Sequence, residues 1–115
     1  MLNEINKALA KTGKPIFYGQ AGSLSKEDIW DYIVFFRNSL SPRQNKTNLT
    51  ERFSVVIVQE EYIEDQTIQD VIDYMEAIPG MRLSDSEAQF DYTTKPNSNV
   101  ILEALMLDFV RPFKR

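Results

Sequence analysis

The chain has 115 residues, of which 43% are hydrophobic and 26% are charged, and its formal net charge is −4. This length and balance predict a single domain spanning residues 1–115, and the acidic charge argues against a protein whose main task is to grip nucleic acid. The chain contains neither cysteine nor histidine, which excludes disulfides, thiolate and imidazole metal sites, and Ser-His-Asp or Cys-His catalysis.

The first third of the chain predicts a short helix followed by two strands. Apolar residues recur at helical spacing from Leu2 to Leu9, and Gly13 is a natural helix stop. The triplet Ile16–Tyr18 is β-prone and predicts a short first strand. The continuous apolar run within Asp31–Asn38 is rich in aromatic and β-branched residues, which predicts a buried second strand.

The middle of the chain predicts an exposed loop, a buried strand and an amphipathic helix. The stretch 38–50 is the most polar in the chain and is typical of a long hairpin loop. Arg52–Tyr62 carries apolar residues at consecutive positions, which predicts a strand that is buried on both faces. Asp65 can cap a helix whose apolar stripe runs to Met75, and Pro79-Gly80 ends it.

The last third predicts further extended segments. Met81–Ser84 is a short extended piece, Ala88–Thr93 alternates aromatic with polar residues, and 95–99 is a turn. Nearly every residue of Asn99–Arg111 is apolar, and although a helix is an alternative there, the preceding turn favours a strand. The predicted fold is α+β in the order α-β-β-β-α-β-β, with a mainly antiparallel sheet and two helices packed on one face.

The predicted sheet has apolar side chains on both faces. An antiparallel sheet with one wet face should alternate instead, and two helices of about a dozen residues cover roughly one face. A straight strand at Asn99–Arg111 would also run about 40 Å, which exceeds the roughly 35 Å diameter of a domain of this size. We therefore expect copies of the chain to assemble and cover the second face; the alternative is a sheet that curls on itself.

Glu103 and Asp108 interrupt the last apolar strand. They are five positions apart, so we expect them to face opposite sides of the sheet, where they cannot act as an acid–base pair. Each is expected to form a salt bridge, to sit at an edge or to contact another subunit, and Arg37 and Arg52 are the candidate partners of Glu103.

Charged residues elsewhere suggest surfaces rather than chemistry. Arg43 and Lys46 lie in the polar loop and, with Glu103 and Asp108, make up the candidate interface. The stretch 53–81 has no Lys or Arg, which predicts a strongly acidic surface region. Because no calcium-loop, phosphate-loop or catalytic spacing is present, we expect no cofactor, no metal site and no enzymatic activity.

Neither secretion nor membrane insertion is predicted. The start of the chain carries Glu4 and Lys7 among its apolar residues, unlike a signal peptide, and no later stretch approaches the ~18 apolar residues of a membrane span. We therefore expect a protein that is not exported and has no membrane partner.

Several segments resemble the tail terminator and tail-to-head joining proteins of long-tailed bacteriophages and prophages. The segments are the opening helix with Gly13–Gly19, the strand Tyr32–Phe36, the strand–helix unit Phe53–Met75 and the long closing strand. The resemblance covers nearly the whole chain through pattern and element order. It implies a ring subunit, typically of a hexamer, that caps the tail tube and offers head-completion proteins a docking surface. DNA would pass through the ring without sequence-specific contacts, loops such as 38–48 would dock, and the protein would reside in the virion tail after assembly in the bacterial cytoplasm.

Two other classes of function stay open at this point. One is a small binding or regulatory module that pairs with a host protein through a sheet edge. The other is a small enzyme that relies only on carboxylates and tyrosines.

Overall fold

The structure is a computed structural model that describes residues 1–22, 24, 28–42 and 48–114. Its elements in chain order are α1 (Leu2–Ala10), β1 (Ile16–Tyr18), β2 (Asp31–Pro42), β3 (Asn48–Glu60), α2 (Asp65–Glu76), β4 (Arg82–Leu83), β5 (Phe90–Thr94) and β6 (Ile101–Lys114). The α+β class is confirmed, and the last apolar segment is a strand, as predicted. The predicted order lacked one element, because the extended piece near residue 82 pairs with β6 as the strand β4.

The six strands form one mixed sheet in the order β1-β2-β3-β6-β4, and β5 also pairs with β6. Only the β1–β2 pair is parallel, so the predicted mainly antiparallel character is confirmed. β4 and β5 follow one another along the outer edge of β6. Arg82 faces Val110 and Phe90 faces Leu105, so three extra residues loop out of this edge between the two strands.

The buried core lies between the two helices and one face of the sheet. Odd-numbered positions of the central strands point to this face because side chains alternate along a strand. The strand residues of the core are Ile33, Phe35, Phe53, Val55, Ile57, Leu105, Leu107 and Phe109. The helix residues are Ile5, Ala8, Leu9, Val71 and Met75. Both amphipathic helices therefore bury the stripes that the sequence predicts.

The ends of α2 follow from local backbone preferences. Glu64 is the N-cap in an extended conformation, and Asp65 is the first helical residue rather than the predicted cap. The Asp65 carboxylate still lies where the helix dipole favours negative charge. After the C-cap at Ala77, Gly80 takes a positive φ of 81°, which glycine adopts without steric cost. The helix therefore ends at Glu76, before the predicted stop at Pro79-Gly80.

Three strands continue past the helices as an arm, which we define as residues 37–42 of β2, 48–52 of β3 and 110–114 of β6. The molecule measures 52 × 26 × 23 Å and has a radius of gyration of 15.2 Å, against about 13 Å for a compact domain of this length. The predicted loop 38–50 is therefore wrong in extent, since the strands reach Pro42 and resume at Asn48. The rest of that loop, with Arg43 and Lys46, lies outside the described residues.

A β-bulge marks the base of the arm on β2. Arg37 faces Phe53 and Ser39 faces Arg52, so Asn38 has no partner residue of its own. An extra residue in one strand exchanges the faces to which the following side chains point. Before the bulge the odd-numbered residues of β2 point to the helix side. Beyond it, in the arm, the even-numbered residues do.

Candidate assembly surface

The second face of the sheet, opposite the helices, carries the even-numbered residues of the central strands. In the single chain Val34, Val58, Leu102 and Val110 are buried, while Tyr32, Phe36, Val56 and Ala104 are half-buried. Met106 is 45% exposed. The chain thus covers much of this face itself, and the expectation that the whole face depends on neighbouring copies is corrected to a smaller apolar strip. We define this strip as Phe36, Val56 and Met106.

Part of the cover comes from the connection between β1 and β2. Because β1 and β2 are parallel, the chain between them must pass over one face of the sheet to reach the start of β2. Gly22 of this connection lies beside the ring of Phe17, and the rings of Trp30 and Tyr32 lie 6.5 Å apart. The ring of Phe17 meets that of Tyr32 edge-on at 5.8 Å. These aromatic contacts close one end of the second face.

Lys95 fastens the same connection to the sheet. Its side chain is 7% exposed, and its Nζ donates a hydrogen bond to the backbone oxygen of Asp28 and lies 3.3 Å from Oε2 of Glu60. That Glu60 oxygen also accepts a hydrogen bond from the backbone N–H of Trp30 at 2.6 Å. The turn after β5, the end of β3 and the connection are thereby held together. Sequence reasoning missed this role, since Lys95 opens a polar turn that gives no signal of burial.

Asp108 lies on the second face at the base of the arm, inside a polar network. The Ser54 hydroxyl donates to its Oδ1 at 2.7 Å, and Nη1 of Arg52 lies 3.5 Å from its Oδ2. The Asn38 amide donates to Ser54 at 2.9 Å, and Arg52 also donates to the Ser84 hydroxyl at 3.0 Å. The network spans β2, β3 and β6 and ties the bulge to the sheet. Asp108 thus forms a salt bridge, which was one of the three predicted alternatives.

Glu103 lies on the helix face of β6 and is 9% exposed. Its Oε1 accepts a hydrogen bond from the backbone N–H of Ile63 at 2.7 Å, which holds the chain as it approaches α2. The predicted partnership with Arg37 or Arg52 is wrong, because Arg52 pairs with Asp108 instead. The predicted placement of the two carboxylates on opposite faces is confirmed. Because Glu103 is buried, its side chain offers a neighbouring copy little exposed area to contact.

Tyr92 lies opposite Glu103 in the register of β5 and β6. A hydrogen bond to the Glu103 carboxylate, with smaller contributions from burial and charge, raises the pKa of Tyr92 above its ordinary value. Because the folded-state pKa is raised, this interaction stabilises the fold fully below about pH 10 and is lost as the pH rises through the folded pKa.

We expect Glu103→Gln to bring the pKa of Tyr92 back toward the ordinary tyrosine value. The amide oxygen still accepts from Ile63, but the negative charge that opposes tyrosinate is gone. Tyrosine-selective ¹³C NMR titration follows each ring separately. Tyr32, whose pKa is raised by burial alone, is the internal control and should not respond. An unchanged Tyr92 titration would show that Glu103 does not act on it.

The described residues contain little else that suggests catalysis. Ser54 is fully buried, so a substrate has no access to its hydroxyl. No group of three or more acidic side chains that could hold a metal ion occurs in the described ranges. Within those same ranges, no helix is both long and apolar enough to cross a membrane.

No family model matches the chain, and no curated protein matches it. The function is therefore inferred from the arm, the apolar strip and the pattern of elements.

Proposed function

We propose that the chain is a structural, non-catalytic subunit that assembles with copies of itself. Its place would be the tail of a bacteriophage or prophage, as a tail terminator or head–tail joining subunit of a ring, typically a hexamer. The tail tube and head-completion proteins would be its other partners. The observation that carries self-assembly is the arm, which makes the long axis of the molecule 52 Å against 26 and 23 Å for the others. The particular role in a tail rests on the resemblance in element order.

The β2 strand of the arm is poorly covered by its own chain, whereas Val110 of β6 is buried and Arg111 contacts the connection that follows α2. Every residue from Arg37 to Pro42 is exposed, and Leu40 is 57% exposed. Narrow β-ribbons need a packed apolar face or a covering element for stability in water. A neighbouring copy that packs on the arm would supply this cover.

The apolar strip lies on the second face of the sheet, near the base of the arm. Val56 and Met106 face each other across β3 and β6, and Phe36 on β2 lies toward the arm. Exposed apolar area beside a projecting element is typical of protein–protein contact. Leu40 pairs with Glu51 and points to the helix side, so the strip and the arm are two neighbouring candidate contacts rather than one continuous surface.

Pairing of a partner strand with the sheet edge, the alternative function, is less well supported. In the described part of the chain, β2 has no partner strand on its outer side beyond Phe35, where β1 ends. This free edge carries Arg37, the bulge at Asn38 and Pro42, and the β6 edge carries Pro112. Charges, bulges and prolines are the devices that prevent strands from adding to an edge. Contact through the faces of the arm is therefore favoured.

Sedimentation velocity at micromolar concentrations tests self-assembly. We expect the wild type to form a closed oligomer of defined mass. In an arm-shortened variant, Asn-Gly replaces residues 40–51, which leaves a two-residue hairpin between Ser39 and Arg52, and the chain ends after Arg111. This variant should be monomeric with an unchanged far-ultraviolet circular dichroism spectrum per folded residue.

The control for the arm-shortened variant is Tyr62→Ser, which removes a side chain that is 62% exposed and lies outside the arm. It should leave the mass of the oligomer unchanged. A wild type that stays monomeric throughout, or an arm-shortened variant that keeps the oligomer, would refute the proposal. Negative-stain images of a ring, and binding of that ring to one end of purified tail tubes, would test the role in the tail.

A further inference from the structure

Charge is separated between the arm and the rest of the molecule. The sequence segments that build and connect the arm, 37–52 and 110–115, hold seven of the 13 Lys and Arg residues and one of the 17 Asp and Glu residues. Their formal charge is therefore +6. The rest of the chain, which we call the body, keeps six basic and sixteen acidic residues and has a formal charge of −10. A total of −4 thus conceals two parts of the sequence with opposite charge.

Arginines in the described part of the arm are held in place by the fold. Arg52 pairs with Asp108, and Arg111 lies 3.4 Å from Oε1 of Glu51. Their side chains stay partly exposed, at 32% and 28%. Arg37 at the outer edge of β2 is exposed. Arg52 and Arg111 are thus each paired with a carboxylate, and Arg37 presents its charge on the same strand as the exposed Leu40.

The body carries a row of exposed carboxylates along α2. Glu64, Asp65, Asp73 and Glu76 are exposed there, and we call these four residues the α2 face. The last turn of the helix has no basic residue. The side chain of Gln69 donates to Asp73 at 2.8 Å, which orients this carboxylate without neutralising it. Since 53–81 contains no Lys or Arg, α2 has no basic residue of its own, although Lys11 of α1 lies with its Nζ 5.8 Å from the centre of the Tyr74 ring.

We propose that the arm of one copy seats on the α2 face of a second copy. The inference rests on the proposed function, because it presupposes that copies associate. An arm-to-arm contact would bring two +6 segments together, and a body-to-body contact would bring two −10 regions together. Complementary potentials favour encounter and fix the register of an interface, while like charges oppose it. Contact between unlike surfaces is also the kind that closes subunits into a ring.

The second copy is a better occupant for the arm than nucleic acid. Binding to phosphates would use the positive arm but leave the α2 face without a role, and the −10 body would repel the same polyanion. A contact between copies pairs the positive segments of the arm with the negative α2 face, so both have a role.

Charge reversal on each side of the contact tests the proposal. Arg37→Glu reverses the charge on the arm, and Asp73→Lys reverses the charge on the α2 face. Asp91→Lys is the control, with the same change of charge as Asp73→Lys at an exposed position on β5. Sedimentation velocity at low salt should show that each of the first two variants raises the dissociation constant about tenfold. The control should stay within about twofold of the wild type.

Mixing the variants identifies which surfaces meet. Arg37→Glu and Asp73→Lys in equal amounts should assemble at a concentration where neither assembles alone, because a reversed arm then meets a reversed face. Wild-type assembly should weaken as salt rises toward 1 M, where the screening length falls to about 3 Å. Thermal melting of each variant checks that it remains folded.

Several results would overturn the inference, and they differ from failure of self-assembly. An oligomer that forms normally but ignores both reversals leaves the proposed function standing and removes the charge contact. Arg37→Glu that assembles preferentially with wild type would show that arm meets arm. Salt-sensitive binding of wild type to a random-sequence DNA duplex, abolished by Arg37→Glu while the oligomer is unchanged, would assign the arm to nucleic acid. A wild type that is monomeric in every condition refutes both proposals together.

Discussion

Replacement of Lys95 by methionine is expected to lower the free energy of unfolding by about 3 kcal/mol. Methionine fills the same space but cannot donate to the backbone oxygen of Asp28 or pair with Glu60, whose side chain is only 23% exposed. Loss of one partner of a shielded ion pair costs more than loss of the pair, because the remaining charge stays poorly solvated. Chemical denaturation followed by circular dichroism measures the change.

The single tryptophan of the chain gives this prediction a local measurement. Trp30 shares Glu60 with Lys95 through its backbone N–H, so loss of Lys95 should loosen the connection from β1 to β2. We expect the Trp30 emission to shift to longer wavelength and to become easier to quench before the main unfolding transition. Release of the connection would also uncover part of the second face.

Two comparison variants separate the buried contact from a general effect of removing a lysine. Lys7→Met on the exposed side of α1 should change stability by less than about 0.5 kcal/mol. Glu60→Gln combined with Lys95→Met should recover part of the loss, because it removes the charge left without its partner. If Lys95→Met is as stable as Lys7→Met, then Lys95 does not fasten the connection.

Sequence patterns predicted the elements whose burial they encode. Consecutive apolar residues identified the central strands, and the 3.6-residue stripes identified both helices, because side-chain burial in these elements is dictated by periodicity. The arm was missed on β2 because Asn38–Pro42 is polar, and polar residues with low strand propensity are typical of loops. They form a strand here because they pair with the start of β3. Their polar side chains are tolerated because both faces of this strand are exposed to solvent.

The contacts of the candidate site depended on information that periodicity does not contain. Alternation placed Glu103 and Asp108 on opposite faces, but their partners depend on strand register, and a shift of one residue changes every neighbour. The sequence therefore assigned Arg52 to the wrong carboxylate. The sequence also did not predict that the chain covers part of the second face itself. The parallel β1–β2 pair requires a connection that passes over one face of the sheet, and the predicted antiparallel order required none.

Asp108 is the residue through which the arm depends on the sheet, and Asp108→Ala is expected to destabilise the fold by about 2–4 kcal/mol. The substitution leaves the fully buried Ser54 hydroxyl without its acceptor and Arg52 without its carboxylate. Ser54 in turn holds the Asn38 amide at the bulge. The arm should therefore lose stability before the core does. Amide hydrogen exchange should accelerate more at 38–42 than in the core strands.

Asp108→Asn is the matched control, because its amide oxygen still accepts from Ser54 while the charge that pairs with Arg52 is lost. It should cost about 1 kcal/mol and leave exchange in the arm nearly unchanged. If the arm is the surface through which copies meet, Asp108→Ala should also weaken assembly at temperatures where the body stays folded, although Asp108 is itself only 23% exposed. Equal exchange rates in the two variants would show that the polar network does not order the arm, and the weakened assembly would then need another cause.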